Sequence, residues 1–179
     1  MKKALLLPLV LLPFLTYGQA QHNPQERLQE LGIKLPAAEK PVANFVNYVQ
    51  AGNLLFLSGH AYCGPSTAVD HGKLGRDLTT SQGYEAARRA TLCLLATLHE
   101  ATGGDLNKVK RIVKVLGMVN SAENYTEQSK VVNGCSDLLV DVFGDKGKHA
   151  RAAVGMAALP GNLSVEIEMV VELYETEGK

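Results

Sequence analysis

A stretch near the C-terminus, Val165 to Leu173, constrains the fold more than any other. Val165, Ile167, Met169, Val171 and Leu173 alternate with Glu166, Glu168, Val170 and Glu172. A period of two puts successive side chains on opposite faces of a strand, so this segment belongs in a sheet with one apolar face. The segment before it alternates too: Ala152, Val154 and Met156 against Arg151, Ala153 and Gly155. Upstream, Val109 to Val119 (VKRIVKVLGMV) is rich in β-branched residues and reads as a further strand. Phe45–Val49 and Leu54–Ser58 flank Gly52-Asn53 and read as a hairpin.

Two segments follow the other period. Between 83 and 101, Ala87, Ala90, Thr91, Leu94, Leu98 and Ala101 share one face of a helix, with Ser81 as candidate N-cap and Gly103-Gly104 as the stop. From Asn124 to Phe143, Gln128, Val131, Val132, Cys135, Leu138, Leu139 and Val142 line one face, and Gly144 ends the helix. The order β-β-α-β-α-β-β predicts an α+β fold, a mixed sheet with both helices on one face. Val170 and Ala153 on the second face suggest that another subunit covers part of it.

Residues 1–20 read differently. Lys2 and Lys3 precede an apolar run from Ala4 to Leu15, and small residues follow at Gly18 and Ala20. This is the pattern of a secretory signal peptide cleaved near Gly18–Ala20. The run is too short to span a bilayer and is broken by Pro8 and Pro13, so no stable membrane insertion is expected. The expected location is exported, periplasmic or secreted. Residues 21–43 read as an N-terminal extension with a short helix, Pro24 to Leu31, and 44–175 as the main domain. The chain has three cysteines. Cys93 and Cys135 sit in helical apolar stripes and read as buried small hydrophobes. Cys63 lies in a Gly/Pro-rich loop and is expected to be exposed. No disulfide framework is expected.

Charge and motifs exclude several functions. Lys+Arg and Asp+Glu both number 18, so the basic excess of a nucleic-acid binder is missing. There is no G-x-S-x-G nucleophile elbow and no phosphate-cradling glycine loop. The five histidines include no H-x-x-x-H pair, and no metal site is expected, His60 and His71 in loops being the weak candidates. What remains is Arg151 at a strand start, followed by Glu166 and Glu168. An arginine there is a bidentate receptor for a carboxylate, and a glutamate can aim a water. The plainer alternative is an ion pair between Arg151 and either glutamate across a hairpin.

Longer stretches carry a resemblance. Val49–Gly59 (VQAGNLLFLSG), Asn133–Asp137 (NGCSD), Gly147–Gly155 (GKHARAAVG), Leu159-Pro160 and Val165–Glu168 (VEIE) resemble the RidA/YjgF family of reactive enamine/imine deaminases, in its endoribonuclease L-PSP/chorismate-mutase-like branch. The resemblance spans Phe45 to Leu173. It implies a chorismate-mutase-like α+β domain assembled as a homotrimer with ligand clefts between subunits. It implies hydrolysis of small carboxylate-bearing imines, of the 2-iminopropanoate type, to keto acid and ammonia, without cofactor or metal. Arg151 then falls where the family binds the substrate carboxylate, and Glu166 where it orients the water. Ser58 and Asn133 fall at cleft-lining positions, and His60 follows at the cleft edge. Phe45 stands where many deaminases carry tyrosine, and Gly155 where they carry a larger side chain. These two departures support an alternative: a trimer that binds small carboxylates without turnover. The long insert Tyr62–Leu78 is expected to reshape the mouth of the cleft. Ribonuclease activity, suggested by the branch label, is disfavoured by the neutral charge.

Overall fold

The computed structural model describes residues 23–175. The proposed signal segment lies outside them. The elements run α1 (Pro24–Glu30), β1 (Tyr48–Ala51), β2 (Leu54–His60), α2 (Thr80–Ala101), β3 (Val109–Asn120), α3 (Gln128–Phe143), β4 (Ala150–Met156) and β5 (Val165–Leu173). One five-stranded sheet has the order β1-β2-β5-β3-β4. All pairings are antiparallel except β3 with β4, which is parallel. The fold is therefore the expected α+β mixed sheet, with three α-helices among the described residues.

Register fixes which residues share a face. Leu57, Met169, Val115 and Arg151 lie in one row across β2, β5, β3 and β4. Leu57, Met169 and Val115 are buried beneath the helices, together with Leu55, Val119, Ile167 and Val171. α2 and α3 cross at Gly134, where a Cβ would lie 2.0 Å from the Tyr84 carbonyl oxygen. Only glycine permits that approach. α1 packs Leu28 into the same core.

The other face carries Phe56, Val170, Lys114 and Ala150 in one row, Glu168, Leu116 and Ala152 in another, and Glu166, Met118 and Val154 in a third. Phe56 and Val154 are exposed, as is Val49 opposite Phe56 on β1.

Ala153 pairs with Gly117 beneath α3, so it lies on the helix side, and Ala152 and Val154 share the other face with Val170 instead. The first hairpin strand runs Tyr48–Ala51 rather than Phe45–Val49. Three further expectations need correction. α2 starts at Thr80, because Thr79 forms a capping box with Gln82. The Thr79 hydroxyl accepts from the Gln82 amide and the Gln82 side chain accepts from the Thr79 amide, leaving Ser81 inside the helix. α3 starts at Gln128 rather than Asn124, since Ala122 to Tyr125 form a turn. The third concerns cysteine. Cys63 and Cys93 form a disulfide, Cα–Cα 5.8 Å apart. The loop after β2 folds back along α2, where Arg89 donates to the Pro65 carbonyl at 2.9 Å and to the buried Asp70 carboxylate at 2.8 and 3.1 Å. That path lays Cys63 against Cys93. Cys135 is free and buried, and burial pushes its thiol up to about 11.

Candidate functional site

Arg151 reaches from edge strand β4 onto α3. Its Nη1 donates to Asn133 Oδ1 at 2.8 Å and to Ser136 Oγ at 3.0 Å, and Nη2 donates to the Ser129 carbonyl at 3.4 Å. Ser129, Asn133 and Ser136 are spaced four and three apart, so one polar stripe of the helix faces the arginine. No carboxylate pairs with Arg151 among the described residues. The expected hairpin alternative fails on topology: β4 pairs in parallel with β3, and β3 separates it from β5. Nε makes no hydrogen bond among the described residues. The Nε–Nη2 edge of the guanidinium thus retains the fork geometry that grips a carboxylate.

His149 completes this cradle. Its Nδ1 lies 2.6 Å from the Gly147 carbonyl and its Nε2 3.1 Å from Ser136 Oγ. Burial lowers its pKa from the ordinary histidine value; the Gly147 carbonyl opposes this and the Arg151 charge adds to it. Gly155 sits nearby on the same face. A Cβ there would lie 2.8 Å from both Gln128 Nε2 and Ser121 Oγ, so the α3 start occupies the room a larger side chain would need.

Glu166 is elsewhere. On β5 it sits opposite Met118, on the uncovered face, while Arg151 sits opposite Val115, on the helix side. With β3 between their strands, they are also about 10 Å apart across the sheet. The Glu166 carboxylate lies over Gly59, where a Cβ would be 2.1 Å from Oε1. Burial first, then the Glu168 charge, raise its pKa above the ordinary carboxylate value, while His60 pulls it down. Ser58 belongs to this second group: its hydroxyl donates to the Val46 carbonyl at 2.6 Å, next to exposed Phe45. His60 turns inward at the β2 bulge, with Nδ1 2.8 Å from the Ser58 carbonyl and Nε2 2.8 Å from Thr97 Oγ1 on α2.

The site residues therefore form two groups. Arg151 and Asn133 meet at the β4–α3 edge, with Gly155 four residues further along β4 against the start of α3; Glu166 lies over Gly59 next to Ser58, whose hydroxyl reaches the Val46 carbonyl beside Phe45. Sequence reasoning missed Ser129, Ser136 and Gln128, although the polar stripe on α3 was visible as a spacing. A hollow of about 730 Å³ at the far end of the sheet includes none of these residues. Its Lys108 amine is spent on the Thr102 carbonyl at 2.6 Å. No group of three or more His, Cys, Asp or Glu suited to a metal occurs among the described residues. No helix among them is long and apolar enough to cross a membrane.

Residues 25–173 match the family model described as "YjgF/chorismate_mutase-like, putative endoribonuclease". The chain belongs to the RidA/YjgF family. Protein TCP17 of Trypanosoma cruzi is 47% identical over 147 residues, covering 82% of this chain and 91% of its own. The crystal structure of Atu1372 from Agrobacterium tumefaciens, a protein of unknown function, superposes with a TM-score of 0.77 at 42% identity, over 84% of this chain and 92% of that one. A 2-iminobutanoate/2-iminopropanoate deaminase of Dermatophagoides farinae is 27% identical over 139 residues, 78% of this chain and 93% of its own.

Proposed function

We propose that this RidA/YjgF protein hydrolyses small carboxylate-bearing imines, of the 2-iminopropanoate type, to keto acid and ammonia in a cleft between copies of a homotrimer. The observation that carries the reading is the division of the site. Arg151 offers, on one sheet face, a guanidinium whose Nε is free among the described residues, Glu166 a half-buried carboxylate on the other, and one small ligand cannot touch both within a chain. A second copy laid against the exposed apolar face would bring its Arg151 toward this copy's Glu166. The deaminase from Dermatophagoides farinae supports the reaction class.

Arg151 holds the substrate carboxylate bidentately and so fixes the adjacent imine carbon. Glu166 accepts a proton from water as the water oxygen bonds to that carbon and passes it to the imine nitrogen, giving a carbinolamine; the remaining hydroxyl proton then moves to that nitrogen through Glu166 as the C=O bond forms, the C–N bond breaks and ammonia leaves. A carboxyl raised by burial is a stronger base than an exposed one, which suits this role. Neither a metal nor an organic cofactor enters these steps.

The test is ammonia release from 2-iminopropanoate, generated in situ, by the purified protein and by Arg151→Ala. Turnover abolished in the variant supports the assignment; turnover at the parental rate overturns it. A second reading, binding without turnover, is favoured by Phe45, which lacks a hydroxyl beside Ser58. Carboxylate binding by calorimetry with no ammonia release would select it.

We also propose that the protein is exported. The Cys63–Cys93 disulfide supports this, since such bonds persist in oxidising compartments. Cell fractionation with N-terminal sequencing tests it: a mature chain starting near residue 19 or 21 supports the reading, and an intact cytoplasmic chain overturns it.

A further inference from the structure

The cradle around Arg151 contains more than a carboxylate receptor needs. The Gly147 carbonyl can only accept, so the 2.6 Å contact puts the ring proton of His149 on Nδ1. That leaves a lone pair on Nε2, which lies 3.1 Å from Ser136 Oγ. The serine hydroxyl is the donor in that contact. Its oxygen also accepts from Arg151 Nη1 at 3.0 Å. A hydroxyl held on the free nitrogen of a neutral imidazole, with the far nitrogen oriented by a third group, is the arrangement that activates a serine nucleophile. Here the orienting group is a backbone carbonyl. All three side chains are only partly buried, so a ligand can reach them.

We infer that Ser136 and His149 are a nucleophile–base pair, giving the protein a second activity toward acyl compounds that carry a free carboxylate. Ser136 Oγ bonds to the acyl carbon while its proton passes to His149 Nε2. The bond to the leaving group breaks, and that group departs with the proton. Water then attacks the acyl-serine, gives its proton to Nε2, and Ser136 leaves and takes the proton back. The guanidinium of Arg151 stabilises the charge that builds on the acyl oxygen. The preference for acids rests on the carboxylate role given to Arg151 above; the reactivity of Ser136 does not.

The reactivity is tested first with a fluorophosphonate probe, which has no carboxylate. The Oγ–P bond forms, the P–F bond breaks, and fluoride leaves. Peptide mapping of the full-length protein is expected to find the adduct on Ser136, with none in Ser136→Ala. The rate is expected to fall about 100-fold or more in His149→Gln, the usual share of a general base. No adduct on Ser136, or an unchanged rate in a folded His149→Gln, overturns the pair. Should His149→Gln not fold, Ser136→Cys is read instead: its thiol should be alkylated by iodoacetamide at pH 7 at least about tenfold faster than glutathione, since a histidine partner raises the thiolate fraction. A rate equal to or below glutathione overturns the pair. The acid preference is read by comparing p-nitrophenyl hydrogen succinate with p-nitrophenyl acetate. A higher kcat/KM for the succinate, lost in Arg151→Ala, supports it; equal values overturn that part. Imine turnover and probe labelling measured side by side on the parental protein separate the two readings, because labelling can fail while imine hydrolysis persists, and the reverse.

Discussion

Arg151 and Glu166 lie on opposite faces of one sheet, the first opposite Val115 and the second opposite Met118 on the shared neighbour β3. The proposed imine site uses both side chains and so needs two copies of the chain, which can be measured. Arg151→Ala and Glu166→Gln should each be inactive toward imines. Mixed after dissociation, they should regain activity, because in the proposed homotrimer an assembly holding both variants has one interface with an intact arginine and an intact glutamate. Random mixing at equal amounts restores about a quarter of the sites. No recovery in verified mixed trimers would mean that the site is not shared.

Gly59 offers a milder perturbation. A Cβ there would press on Glu166 Oε1, the free end of a flexible side chain. Gly59→Ala should displace the carboxylate without unfolding the protein. The expected outcome is a kcat lowered roughly 10- to 100-fold, at the scale of a misplaced general base, with the melting temperature nearly unchanged.

Gly134→Ala should behave in the opposite way. Its Cβ would meet the Tyr84 carbonyl, which is backbone and cannot move aside. The crossing of α2 and α3 must open, at a cost of about 1–3 kcal/mol in urea denaturation. A variant as stable as the parent would show that the helices cross differently.

The pH dependence of stability follows from Glu166. Its carboxyl pKa is raised in the fold, by burial first and then by Glu168. Between the ordinary carboxylate value and the raised one, the folded state binds more protons than the unfolded state, so this residue's contribution falls as pH rises through that window. Glu166→Gln should flatten that slope in melting curves recorded from pH 4 to 8. An unchanged slope would show that the group titrates normally.

Thiol counting checks the disulfide. Denatured without reductant, the chain should show one reactive thiol, from Cys135, and after reduction all three. Cys63→Ser should lower stability by about 2–4 kcal/mol, the usual effect of opening a loop of this size.

How much of this was legible in the sequence depended on range. The α+β order was readable because periods of two and 3.6 are local, and Val165–Leu173 shows its period plainly. Ser81 alone points to a later α2 start; the reciprocal pair Thr79 and Gln82 sets it at Thr80. Strand pairing is not local, and nothing in Ala150–Met156 says that it runs parallel to β3. An Arg151–glutamate hairpin pair therefore looked reasonable until the register excluded it. The Cys63–Cys93 bond depends on the path of the loop after β2, which no spacing encodes. The stripe Ser129, Asn133 and Ser136 was a readable signal whose meaning needed Arg151 placed against it.

α3 is both the connection from β3 to β4 and the carrier of that stripe. Each residue added to or removed from a helix turns everything beyond it by about 100°. A single insertion between Ser129 and Ser136 would swing one end of the stripe away from Arg151 and turn Leu138, Leu139 and Val142 away from the core with it. Variation in chain length should therefore be tolerated in the loop that holds Cys63 far better than inside α3, whose residue count is set by chemistry as well as by packing.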